Sequence, residues 1–174
     1  DKAANTGGTP LFIAAEKGHT AVVELLVHAK ADLDKANNKG ATPLIVAAHQ
    51  DHLAAVKLLI EAKADTTAAD MGEAGTALHW SARKGHNRIV HLLLHYSDID
   101  PAQPATDGSC ALHWAAMAGE KECCRMLAKR GGLSVEQLDN LKHEHDILRT
   151  CMNTREANPG TSFEQAIQQA RPHD

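Results

Sequence analysis

An all-α solenoid of stacked helix–turn–helix units, joined by hairpin loops and closed by a C-terminal helical cap, is the fold this sequence predicts. Three observations carry that expectation. First, a seven-residue motif occurs four times: Thr9-Pro10-Leu11-Phe12-Ile13-Ala14-Ala15, Thr42-Pro43-Leu44-Ile45-Val46-Ala47-Ala48, Thr76-Ala77-Leu78-His79-Trp80-Ser81-Ala82 and Cys110-Ala111-Leu112-His113-Trp114-Ala115-Ala116. The copies begin 33, 34 and 34 residues apart, an interval typical of stacked repeat architectures. Second, each of the first three copies is followed by an apolar stripe at helical spacing. Third, turn-rich segments separate the units.

Each element follows from its residues. In Thr-Pro, Thr serves as N-cap and Pro takes the first helical position, where its missing N–H is not needed. The short first helix ends near Gly18, Asp51, Gly85 and Gly119. The second helix carries Val22, Val23, Leu25 and Leu26 in repeat 1, then Ala55, Val56, Leu58 and Leu59, then Ile89, Val90, Leu92 and Leu93. The stretches from Asp34 to Gly40, Asp65 to Gly75 and Asp98 to Ser109 read as hairpin turns. Four units follow: 1–33, 34–66, 67–100 and 101–131, with a tail at 132–174. In the tail, Ser134-x-x-Gln137 has the form of a capping box, and Leu138, Leu141, His145 and Leu148 share one helical face. A turn at Ala157–Gly160 and a last helix bearing Phe163, Ala166, Ile167 and Ala170 complete the expected cap, which could instead dock a partner.

Over residues 1–131, the chain resembles the ankyrin-repeat family: the period, the Thr-Pro-Leu core, the Ala-Ala pair, Gly-His and Leu-Leu recur together in register. The resemblance implies L-shaped units whose hairpin fingers project from paired antiparallel helices. It also implies that binding residues sit on the fingers and on the exposed ends of the first helices. In this sequence those are Asn5, Thr6, Glu16 and Lys17 in repeat 1, Asn38, Lys39, His49 and Gln50 in repeat 2, Glu73, Arg83 and Lys84 in repeat 3, and Asp107, Ser109 and Met117 in repeat 4. Some positions depart from the pattern. Lys30 and Lys63 stand where glycine usually ends the second helix, Asp51 replaces the Gly before His52, and the linkers into repeats 3 and 4 are each one residue longer. Asp34 stands where the family's hydroxylated asparagine would be, so that modification is not expected.

Composition limits the function. The 174 residues carry net charge −4 and only five aromatic side chains, which suits small-residue stacking and argues against a general nucleic-acid or anionic-membrane binder. No apolar run reaches the length of a transmembrane helix, and no signal peptide is visible. The chain opens at Asp1 with no polar capping helix before the first repeat, so a piece of a longer protein is expected, with removal of a targeting peptide as the other explanation. The four cysteines lack C-x-x-C spacing. Cys110 takes the motif's Thr position, and Cys123 and Cys124 take apolar helix positions, so all three read as packing thiols in a reducing, intracellular compartment.

Of twelve histidines, His79, His113, His19, His52 and His86 occupy motif positions, and the resemblance implies that they bond turn backbone and neighbouring repeats. His143 and His145 are two apart and make a poor chelate, and His28, His49, His91 and His95 have no partner set in the sequence. No catalytic or phosphate-binding motif is present, so neither enzyme activity nor a cofactor or metal is expected. Trp80 and Trp114 fill the slot of Ile13 and Val46 and read as core rather than as an exposed anchor. The predicted function is therefore a protein–protein interaction module or scaffold subunit, binding a protein partner, such as a multisubunit assembly, through fingers and concave face. The alternative is a regulatory array attached to a transferase or protease domain outside this chain. A third idea is a redox- or metal-sensing array using Cys151 and nearby histidines.

Overall fold

The computed structural model describes residues 7–96, 99–106 and 108–130. The chain divides into two units, 1–131 and 132–174, and every described residue lies in the first. The tail helices expected beyond Gly132 fall outside the described residues, as do Asn5, Thr6 and Asp107.

Eight helices form four antiparallel pairs among the described residues: α1 (Pro10–Glu16) with α2 (Thr20–His28), α3 (Pro43–His49) with α4 (Leu53–Glu61), α5 (Ala77–Arg83) with α6 (Asn87–Tyr96), and α7 (Ala111–Ala118) with α8 (Lys121–Arg130). The first helices stack in one row, α1–α3–α5–α7, and the second helices in another, α2–α4–α6–α8. At helices this short, propensity alone cannot hold the structure, so packing between repeats supplies the stability. Leu11, Leu44, Leu78 and Leu112 are buried in the first row, and the small residues beside them (an alanine pair, or Ser81-Ala82 in repeat 3) permit close approach.

Two capping schemes start the first helices. In repeats 1 and 2 the hydroxyl of Thr9 accepts from the N–H of Phe12 at 3.1 Å and that of Thr42 from Ile45 at 3.3 Å, with Pro at the first helical position. In repeats 3 and 4 Pro gives way to Ala, and a histidine at the third helical position closes a reciprocal box. The N–H of Thr76 donates to Nδ1 of His79 at 3.3 Å, and the N–H of Cys110 donates to Nδ1 of His113 at 3.1 Å. His79 and His113 therefore cap their own helices, a role the sequence did not show, and the His79 ring also meets Trp114 of the next repeat. His52 and His86 do reach across: Nε2 of His52 lies 3.0 Å from the carbonyl oxygen of Glu16, and Nε2 of His86 lies 3.1 Å from that of His49. Each bond satisfies a carbonyl at the end of the previous first helix.

The departures from the repeat pattern are accommodated by backbone strain. Lys30, Lys63 and Asp51 adopt left-handed φ values of 60°, 71° and 61° in places where glycine is the relaxed choice. Ala74 does the same at 53°, in the hairpin that holds one extra residue. Gly18 is required in its slot for a second reason: the ring of His52 stands where its Cβ would be. Repeat 1 also differs from the sequence expectation. Val22 and Leu25 are 44% and 69% exposed, whereas Ala55, Ile89 and Cys123 in the slot of Val22 are fully buried against the preceding repeat. No described residue covers that side of repeat 1.

Candidate protein-binding surface

The fingers form a continuous ribbon. Main-chain bonds close the described hairpins: Asn37 N–H to Ala41 O at 3.0 Å, Asp70 N–H to Gly75 O at 3.2 Å, and Ala105 N–H to Ser109 O at 2.8 Å. Main-chain bonds also tie successive fingers together, from Met71 N–H to Lys39 O at 2.9 Å and from Thr106 N–H to Glu73 O at 3.1 Å. Carboxylate and amide side chains stiffen the tips. Oδ1 of Asn37 accepts from the N–H groups of Lys39 and Ala41, and Oδ1 of Asp70 accepts from those of Gly72 and Glu73. An isolated bridge pairs Ala69 with Thr76, and no longer strand occurs among the described residues.

Beneath fingers 3 and 4 lies an aromatic plate. Trp80 and Trp114 meet edge to face with centroids 5.2 Å apart. His49 and His79 extend the chain of rings, each 5.1 Å from its tryptophan. The indole N–H of Trp80 donates to Oδ2 of Asp70 at 2.7 Å, and that of Trp114 donates to Oγ of Ser109 at 2.7 Å, so both fingers are pinned to the helix row. Gly75 makes room for this: a Cβ there would stand 2.7 Å from Nε1 of Trp80 and 2.8 Å from Cη2 of Trp114. The guanidinium of Arg83 lies 5.6 Å and 5.4 Å from the two indole centroids, while its Nη1 donates to Oε2 of Glu73 at 2.8 Å. Arg83 is thereby held in one pose while remaining exposed.

Of the sequence-predicted binding residues, Lys17, Asn38, Lys39, Gln50, Glu73, Arg83 and Lys84 are exposed, and Glu16, His49, Ser109 and Met117 are half-buried. The structure joins Glu73 to Arg83, places His49 against Trp80, and puts Nζ of Lys17 3.8 Å from Oε2 of Glu16. Burial holds the His49 imidazole below its ordinary pKa, and the positive charges of Lys84, His86 and Arg83 add to the effect.

Sequence reasoning missed Asp70, Gly75 and the surface role of the tryptophans. Trp114 is buried, as a core residue should be, but Trp80 is only half-buried, and both indoles serve the fingers. The sequence held no signal for them, because the slot's other occupants, Ile13 and Val46, are apolar and read as core.

The cysteines divide by environment. Burial pushes the Cys123 thiol up to about 12, with the charges of Glu120 and its neighbours adding to the rise, while Sγ lies 3.0 Å from Oδ1 of Asn87. Cys124 is half-buried and also raised, by burial and then by Glu120. At Cys110 burial pushes the same way, but hydrogen bonding with His113 more than offsets it and holds the thiol below its ordinary range. Cys110 is therefore a helix cap rather than a packing thiol, its sulfur 3.1 Å from Nδ1 of His113.

The family model for ankyrin repeats (3 copies) matches residues 1–70 and 67–139. No curated protein matches the chain. Among the described residues, no helix is long and apolar enough to cross a membrane.

Proposed function

The chain belongs to the ankyrin-repeat family, whose arrays generally bind other proteins, and from that premise we propose that it is a scaffold module without chemistry of its own, taking an extended acidic segment of a partner protein along the finger ribbon. One observation carries the proposal: Arg83 is clamped on two indoles and ion-paired to Glu73, yet its side chain keeps 42% of its surface exposed. Tryptophan and arginine supply a large share of binding energy at interfaces, and a side chain already fixed in its bound pose loses little entropy on association. A partner carboxylate that takes over from Glu73 gains charge-assisted bonds to Arg83, and Lys84, Lys39 and Lys17 continue the positive strip.

Extended peptides of acidic, neutral and basic composition, presented on an array, test this directly. The acidic set should bind the wild type and fail with the variant Arg83→Glu/Lys84→Glu, whose circular dichroism should match the wild type. Equal binding by the variant would move the contact to the outer helices. The protein partner can then be captured from native extract and its affinity compared between the two forms.

A further inference from the structure

The second helices carry a feature that the finger surface does not use. His91 and His95 lie one turn apart on α6, both exposed, with ring centroids 5.6 Å apart and planes tilted by 33°. Residues at i and i+4 face the same side of a helix, and two histidines at that spacing are a recognised metal-binding arrangement. We propose that His91 and His95 form a two-point chelate for a late first-row divalent transition metal, bound most tightly as Cu2+, on the outer face of repeat 3.

The geometry needs little adjustment. Two imidazoles bound to one tetrahedral or square-planar metal, each with its nitrogen about 2.0–2.1 Å away, have ring centroids roughly 5 Å apart. The observed 5.6 Å is within about 1 Å of that separation. The slot is distinctive within the array. The equivalent pairs are Glu24 and His28 in repeat 1, Lys57 and Glu61 in repeat 2, and Arg125 and Lys129 in repeat 4. Repeat 2 fills it with a solvated ion pair, Nζ of Lys57 lying 3.8 Å from Oε1 of Glu61. Repeat 3 alone among the described repeats places two imidazoles there.

The surroundings choose the metal. His91 lines a groove of about 360 Å³ walled by second-helix residues, among them Lys57, Arg88, Glu122 and Met126. The ammonium and guanidinium oppose any cation, and the Glu122 carboxylate is engaged by Arg125 at 2.7 Å. A hard ion that relies on carboxylate charge, such as Mg2+ or Ca2+, finds no support there, whereas a metal with a strong bond to imidazole nitrogen does. Cu2+ stands at the top of the divalent affinity order, with Zn2+ and Ni2+ below it. Among the described residues no group of three His, Cys, Asp or Glu side chains converges, so the two imidazoles are the ligands they supply. Binding is thus an exchange of two metal-bound waters for two ring nitrogens, with no change of oxidation state.

The test is a Cu2+ titration of the full chain by calorimetry, with the coordination read by electron paramagnetic resonance. The forms compared are the wild type, His91→Gln, His95→Gln, the double variant and His28→Gln as a control for a solitary exposed histidine. A chelate holds its second ligand at high effective concentration, so each single variant should weaken one binding equivalent about tenfold or more. The double variant should lose scarcely more than either single one, His28→Gln should match the wild type, and the two-nitrogen signal should disappear in the variants alone. Three results would overturn the proposal: no micromolar Cu2+ site in the wild type, unchanged titrations in both single variants, or small losses in each that add in the double variant. Circular dichroism keeps the comparison fair, and because both positions are exposed the variants should retain wild-type helicity.

Discussion

Replacing Lys63 by glycine should stabilise the protein, although it deletes a charged side chain and adds no contact. Lys63 holds φ at 71° immediately after the C-cap of α4, and its N–H bonds the carbonyl of Ile60 at 3.0 Å. An L-residue in that region bears about 1–2 kcal/mol of strain from Cβ against the following carbonyl. Glycine removes the strain and keeps the N–H, but gives back about 0.5–1 kcal/mol through its freer unfolded chain. The net gain is about 0.5–1 kcal/mol. Lys30 repeats the situation at φ 60° one repeat earlier, and the two sites share no partners, so the double variant should gain about 1–2 kcal/mol. For a chain of this size each kcal/mol corresponds to about 2–4 °C in Tm. Thermal and urea unfolding followed by circular dichroism provide the measurement. Ala62→Gly is the control, because Ala62 sits at φ −77° and gains nothing from glycine. A fall in Tm for Lys63→Gly, or an equal rise for Ala62→Gly, would refute the strain argument.

Three further outcomes are expected. The folded-state pKa of His49 lies below the unfolded value of about 6.5, so the native state binds fewer protons near that pH; its contribution is complete above about 6.5 and is lost as pH falls through the folded value, a slope that His49→Gln should flatten in pH-dependent unfolding. Under mildly alkaline alkylation followed by peptide mapping, Cys110 should be modified before Cys124, and Cys123 last, since the thiolate is the nucleophile and Cys123 is pushed up to about 12. Trp114→Phe removes the donor to Ser109 and part of a buried ring, and should cost about 1–3 kcal/mol in urea unfolding while leaving the other repeats' helicity intact at low denaturant.

Much of the fold was legible because its determinants are local. Thr-Pro caps, left-handed turns and the leucine ladder each act within a few residues, and their recurrence reinforces them. The strain at Lys30 and Lys63 could be foreseen for the same reason: a helix end needs a left-handed residue whatever the side chain. The site was less legible because it is built across repeats. Nothing local to Trp80 shows that its N–H finds Asp70 in the finger, or that Arg83 lies against an indole of the next repeat. The capping role of His79 and His113 was hidden differently, since a histidine at the third helical position resembles a packing residue until the N-cap geometry is in view. His91 and His95 looked partnerless because a sequence lists neighbours by number, whereas a helix joins them by turn.

The capping histidines and the tryptophans arrive together, and the structure explains why. Repeats 1 and 2 begin their first helices with Pro and bury an apolar residue, Phe12 or Ile45, at the third position. Repeats 3 and 4 drop the Pro, place a histidine there, and carry tryptophan one residue later. His79 serves both purposes at once: Nδ1 accepts from its own N-cap while its ring meets Trp114 of the next repeat at 5.1 Å. The ring that starts one helix thus positions the indole that pins the following finger. Repeats 1 and 2 have no such device among the described residues, and their slot holds Ile13 and Val46 instead, which offer no N–H to a finger. Rigidity in the ribbon is therefore uneven, greatest where Trp80 and Trp114 anchor fingers 3 and 4. Since a fixed surface binds with less entropy loss than a mobile one, partner-binding energy should concentrate over Arg83 and the paired indoles, with Lys17 and Lys39 steering the remainder of the segment into register.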